Sequence, residues 1–209
     1  MKLLTKYILS AFGGKAVRRV SIDEACEKFH ANTTHTVDFM ISYGYLVRVL
    51  RGLYYVKTME EFALKKAVDI HKIISLGMDK LGIRWYFGLY TALKFNGVTH
   101  EFSDTIFVLS DGIFRAKDVK VGGEKVRFIK LSPVLFGFGV IESGSVKFSD
   151  VEKTILDLIY LSRYRSVPEG KIASTIEGYA EKARAAKLRE YLKSYPKTVR
   201  RVVENAGLV

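Results

Sequence analysis

The 209-residue chain contains no glutamine, one cysteine, one tryptophan, three prolines and only three asparagines, Asn32, Asn96 and Asn205. A single thiol, Cys26, excludes an intrachain disulfide framework and fits a reducing compartment. It falls on the apolar stripe of an expected helix, which marks it as a packed thiol rather than a reactive one. No run is long enough to span a bilayer: the longest nearly apolar stretch, Pro133 to Ile141, is short and glycine-rich. Met1 to Phe12 carries lysines and no small-residue cleavage site, so no secretion signal is expected. These absences point to a soluble, cytoplasmic protein that does not associate with membranes. The shortage of amide side chains beside many Lys, Arg and Glu residues leans towards a thermophilic source.

Several enzyme chemistries are also missing their residues. Around Gly14-Lys15 a phosphate-binding P-loop would need glycine at Leu9 and a hydroxyl at Ala16. Ser110-Asp111-Gly112 has no second aspartate placed to hold the paired metal ions of nucleotidyl transfer. His30, His35, His71 and His100 show no metal-ligand spacing with Cys26, and His71 and His100 read as structural or solvated. Glu152 and Asp157 lie on different faces of one expected helix, so they read as a cap and a structural bond partner rather than an acid/base pair. No catalytic residue, metal site or cofactor is expected.

What the chain does have is positive charge. The net charge is +12, and hydrophobic residues make up 48% of the chain, ample for a core. Residues 1–58 carry net +5, residues 59–150 net +2 and residues 151–209 net +5, so the excess sits at the two ends. Such an excess favours contact with phosphates.

The basic N-terminal segment has a definite pattern. A first helix over residues 3–12 ends at Gly13-Gly14. Ser21 and Glu24 stand at capping-box spacing, with Asp23 beside them, and open a second helix whose stripe is Ile22, Ala25, Cys26 and Phe29. A polar break leads to a third helix from about Thr34 to Tyr43, stopped by Gly44. Val37, Met40 and Ile41 give its inner face. Leu46 to Leu50 and Leu53 to Val56 then read as two strands around an Arg51-Gly52 turn. The order is that of a winged helix-turn-helix, whose last helix fits the DNA major groove while the strand pair touches the backbone.

On that reading Thr34, His35, Thr36, Asp38, Phe39 and Ser42 face the groove. Hydroxyls and imidazole can bond base edges, and the Phe39 ring either meets a thymine methyl or packs on the rest of the protein. Asp38 is a poor neighbour for phosphate. Arg18, Arg19, Arg48, Arg51 and Lys57 would hold the backbone or reach the minor groove.

Beyond residue 58 the pattern predicts a long linking helix from Glu60 to Leu81, with Ala67 on its apolar face, and a helix from Tyr86 to Phe95. Strands are expected at Thr105 to Leu109, Lys125 to Lys130 and within Val134 to Phe148. Ser149 and Glu152 repeat the capping-box spacing before a helix to about Leu161. The chain is helical after Pro168, with Pro196 in the first turn of the last helix and Gly207 at its close. The expected class is α+β: a DNA-binding domain over 1–58 and, over 59–209 with residues 59–82 as the link, a partner-binding domain with a small, mostly antiparallel sheet. Lys182, Lys187, Arg189, Arg200 and Arg201 offer a basic surface for an acidic partner there.

Three pieces resemble the AbiEi-type antitoxins of abortive-infection, type IV toxin–antitoxin systems. They are the strand pair Leu46 to Val56, the segment Tyr90-Thr91-Ala92-Leu93-Lys94-Phe95-Asn96-Gly97-Val98-Thr99, and Val151-Glu152-Lys153-Thr154-Ile155-Leu156-Asp157-Leu158. They span most of the chain in the family's order. Asn96 departs from the pattern, standing where the family often has histidine. The resemblance implies a DNA-binding N-terminal domain that represses its own operon and a C-terminal domain that counteracts a nucleotidyltransferase-type toxin. The alternative from the residues alone is a protein-interaction module whose winged unit docks a partner instead of DNA.

Overall fold

Leu4, Ile8 and Leu9 fall on one side of the first helix, and their burial sets the position of α1 (Lys2–Phe12). The computed structural model of the protein describes residues 2–64, 68–98 and 103–209. Expectations for Ala67, Thr99 and His100 fall outside the described residues. The chain divides into two compact units, one running to Ile83 and including Val119–Lys125, the other Arg84–Asp118 with Val126–Val209. The class is α+β, with a three-stranded antiparallel sheet and a six-stranded mixed sheet.

In the first unit α1 is followed by β1 (Ala16–Arg18), α2 (Arg19–Lys28), α3 (Thr33–Ser42), β2 (Leu46–Leu50) and β3 (Leu53–Val56). The strand order is β1-β3-β2, with Arg18 opposite Leu53 and Arg48 opposite Tyr54. The β2–β3 turn needs Gly52, whose φ of 78° disfavours any residue with a Cβ. Ile22, Ala25, Cys26, Val37, Met40, Leu46, Tyr54 and Val56 close one core with α1.

The capping box at Ser21 and Glu24 is not formed. The helix starts three residues earlier, after Arg18, where the Arg19 N–H, a donor otherwise orphaned, donates to the Gly52 carbonyl at 2.8 Å. Asp23 instead makes an i,i+4 pair with Arg19 at 3.6 Å. For α3 the cap is Asn32, whose side chain accepts from the His35 N–H.

The single long helix expected over Glu60–Leu81 is two. A capping box between Thr58 and Glu61 opens the short α4 (Met59–Ala63), and the Asp69 side chain caps a fresh start for α5 (Ile70–Leu81). Both belong to the first unit. Gly77 lets α5 approach the sheet: a Cβ there would lie 2.8 Å from Val49 Cγ1.

In the second unit the sheet order is β6-β7-β5-β4-β9-β8, where β4 is Trp85–Phe87, β5 Thr105–Ser110, β6 Val119–Val121, β7 Glu124–Lys130, β8 Val140–Ser143 and β9 Val146–Ser149. The tip 119–125 is counted with the first unit. The helix expected from Tyr86 is confined to α6 (Leu89–Phe95). Trp85, Tyr86 and Phe87 are all buried as a strand, antiparallel to β5 and parallel to β9. The sheet is therefore mixed. Asn96 ends α6 and donates to the Ala92 and Ser149 carbonyls, at 2.7 and 2.9 Å.

Four helices complete this unit: α7 (Val151–Tyr164), α8 (Glu169–Ala180), α9 (Ala185–Tyr191) and α10 (Lys197–Asn205). The cap of α7 is Asp150, one residue past the expected Ser149, and it accepts from the Lys153 N–H at 2.8 Å. Pro196 is likewise the residue before α10 rather than within it.

Glu152, expected as a cap, faces the loop before α9 and accepts from the Arg184 guanidinium at 2.9 Å and its N–H at 3.1 Å. Burial pushes its carboxyl up, but these bonds win and hold it below the ordinary glutamate range. A depressed carboxyl contributes stability that is complete above the ordinary value of 4.5 and is lost as pH falls through the lowered one. Glu152→Gln is expected to flatten the acid limb of the stability profile below that point, as read from chemical denaturation at a series of pH values. An unchanged acid limb contradicts this.

Candidate functional site

A cleft of about 700 Å³ opens between α3 and the β2–β3 hairpin. Its walls are Arg19, Thr34, Val37, Asp38, Arg48, Arg51, Gly52 and Tyr54. Three arginines thus converge on one concave surface from three elements: the start of α2, strand β2 and the hairpin turn. Arg19 is held in place, its guanidinium donating to Thr34 Oγ1 at 2.9 Å. The Arg48 guanidinium lies 6.0 Å from the centre of the Tyr54 ring, within reach of its π face. Of the three, Arg19 is anchored by hydrogen bonding.

Five of the residues expected to contact DNA meet in this cleft: Arg19, Thr34, Asp38, Arg48 and Arg51. His35 and Ser42 are exposed on α3, Ser42 donating to the Phe39 carbonyl. Thr36 is not on the exposed face. It is 1% exposed, and its hydroxyl donates to the Asn32 carbonyl one turn earlier, so it cannot reach a ligand. Phe39 is half-buried and packs on Tyr43 and Tyr45, with ring centres 4.4 and 6.4 Å away. Arg18 points elsewhere: it donates to the Lys80 and Leu81 carbonyls at the end of α5, where a cation suits the helix dipole. Lys57 is half-buried after β3, and its N–H donates to the Tyr45 carbonyl. Tyr54 is a wall of the cleft that the pattern of charges and hydroxyls does not single out; its pairing opposite Arg48 was the available signal.

The basic residues of the second unit are largely engaged within it. Lys182 donates to the Gly97 carbonyl, Lys187 pairs with Asp150 at 2.9 Å and Arg201 with Glu169 at 2.6 Å. Arg189 and Arg200 are exposed.

A second concentration of titratable groups lies inside this unit. Lys153 and Asp157 are 3.6 Å apart on α7, both with fully buried side chains. Asp157 accepts from Tyr86 Oη at 2.8 Å and Tyr195 Oη at 2.7 Å. The ammonium donates to the Leu135 carbonyl at 2.6 Å and lies 4.7 to 4.8 Å from the ring centres of Phe138 and Tyr86. Burial pushes the Asp157 carboxyl up and the Lys153 amine down, while each charge draws the other back towards its ionised form. With no exposed surface the pair cannot meet a substrate, and it acts in packing.

Among the described residues no three His, Cys, Asp or Glu side chains converge as metal ligands, and no helix is long and apolar enough to cross a membrane. No protein-family model matches the chain, and no curated protein matches it significantly in sequence. Among solved structures it is similar to the crystal structure of the Rv2827c protein from Mycobacterium tuberculosis, with a TM-score of 0.54 and 9% identity over 97% of this chain and 74% of that one. At that identity the likeness concerns the fold alone.

Proposed function

We propose that the first unit is a winged helix-turn-helix that binds double-stranded DNA, with α3 in the major groove and the β2–β3 hairpin as the wing. The observation that carries this reading is the cleft between the exposed face of α3 and the hairpin, lined by Arg19, Arg48 and Arg51. Guanidinium groups suit phosphate oxygens and base edges alike. The order of elements and the antiparallel sheet β1-β3-β2 support it.

The chain is then a sequence-specific transcriptional regulator. Its resemblance to AbiEi-type antitoxins extends the proposal to an autorepressing antitoxin of a type IV pair, whose second unit binds a nucleotidyltransferase-type toxin. That unit contains the Glu152–Asp157 segment of the resemblance, where Lys153 and Asp157 are buried and Glu152 pairs with Arg184. A toxin-binding role therefore falls to other surfaces of the unit.

His35 and the arginines have different tasks in this scheme. His35, exposed on α3, reads bases. His35→Ala is expected to change which duplexes are preferred while leaving affinity for random duplex within about twofold, because only base contacts carry sequence information. Competition binding with operator and random DNA measures this. Equal losses on both would contradict the assignment. The second reading, a protein-docking module, is favoured by the Tyr43 ring, 62% exposed against Phe39.

A further inference from the structure

Asp38 is the anomaly of the cleft. It is exposed on α3 and shares the walls with three arginines, yet its side chain makes no hydrogen bond or ion pair among the described residues. The neighbouring Arg19 is instead engaged by Asp23 at 3.6 Å and Thr34 at 2.9 Å. The cleft thus presents a vacant acceptor beside guanidinium donors, of which Arg19 is held in place.

We infer that Asp38 is a specificity-determining residue whose carboxylate accepts a hydrogen bond from the N4 amino group of a cytosine, fixing a C·G pair in the bound DNA. The inference rests on the DNA-binding reading. A carboxylate repels phosphates, so on a DNA-facing helix it either weakens binding to every sequence or lies against base edges. An ionised carboxylate only accepts hydrogen bonds. In the major groove guanine offers the acceptors N7 and O6, and thymine the acceptor O4. Adenine's one donor stands beside its N7 acceptor, which opposes the second carboxylate oxygen. Cytosine N4 alone is a donor without an adjacent acceptor on the same base edge.

The arginines complete the pattern. Thr34 and Asp38 are four residues apart and share one face of α3. Arg19, held on Thr34, lies in the same cleft as Asp38. One C·G pair offers a donor to Asp38 and, on its guanine, two acceptors to a guanidinium. The deep, narrow major groove of A-form RNA would not admit α3, so the ligand is duplex DNA.

The test is selection of bound duplexes from a random-sequence library by the wild-type protein, Asp38→Ala and Asp38→Asn, followed by affinity measurements on the enriched site and its single-base variants. The wild type is expected to enrich a site with an invariant C·G pair and to bind it about tenfold more tightly than the same site with that pair exchanged. In Asp38→Ala that position alone becomes degenerate. In Asp38→Asn it shifts to A·T, because an amide matches adenine N6 and N7. If Asp38→Ala enriches the same site with the same preferences and only binds all duplexes more tightly, Asp38 repels phosphate without reading a base. The inference then falls and the DNA reading stands. If the wild type enriches no sequence, both fall.

Discussion

Lys153→Ala is expected to destabilise the second unit by about 3–5 kcal/mol, because it strands a buried carboxylate. For a protein of this size that lowers the midpoint of thermal unfolding by roughly 10–15 °C. Asp157 is fully buried, and after the substitution it keeps two tyrosine hydroxyls but no counter-charge. The cavity and the loss of the stem among Tyr86, Phe138 and Tyr195 add to the cost.

Two further measurements separate charge from packing. Lys153→Met with Asp157→Asn fills most of the space, removes both charges and leaves an amide oxygen for the tyrosines. It is expected to recover most of the loss. In Lys153→Ala the Asp157 carboxyl, already raised by burial, rises further, so the folded state holds its proton more tightly than the unfolded chain does. The variant should therefore lose less stability at acid pH than at neutral pH. A Lys153→Ala protein within about 1 kcal/mol of wild type at neutral pH, the scale expected for exposed sites, would show the pair to be unimportant.

The second large effect concerns binding. Arg48→Ala with Arg51→Ala removes two of the three guanidinium groups in the cleft. Both are exposed, so the fold should survive. Each charge-assisted hydrogen bond contributes about 1.5–3 kcal/mol, so affinity should fall by roughly 100-fold or more on specific and random duplexes alike. The slope of log affinity against log salt should flatten by about two, one for each phosphate left without its guanidinium. A loss confined to one DNA sequence would place these arginines on bases instead of the backbone.

The parts of the fold legible in the sequence were those set by local chemistry. The Arg51-Gly52 turn could be read because glycine between two runs of strand-forming residues has few other uses, and Arg48 and Arg51 came with it. A side-chain cap for α7 was legible in kind but slipped by one residue, whereas α2 has no side-chain cap at all. Ser21 and Ser149 have the right spacing, yet Arg18 and Asp150 precede the helices. In one case a contact to a distant turn decided the start, and in the other a stronger acceptor stood one residue later.

Thr36 reads as groove-facing from its type and neighbours, but a threonine that bonds its own helix carbonyl can be buried at little cost. Tyr86 and Phe87 read as helix because a fully buried strand has no period of two to display. The network around Asp157 could not be read at all. Its partners Tyr86 and Tyr195 lie 71 and 38 residues away, and only the fold brings them together. The sequence suggests a structural bond for Asp157, and the structure supplies Tyr86 and Tyr195 as its partners.

The central claim is that the α3–hairpin cleft binds DNA with sequence preference. Its most direct test is equilibrium binding of the full-length protein to the duplex upstream of its own gene and to random duplex, each at two salt concentrations. Arg48 and Arg51, the two cleft arginines left for the backbone, predict a log–log salt slope of about −2 or steeper per bound chain, and tighter binding of the upstream duplex that persists at the higher salt. Equal or undetectable binding of the two duplexes would contradict the account and leave the first unit as a docking module for a protein partner.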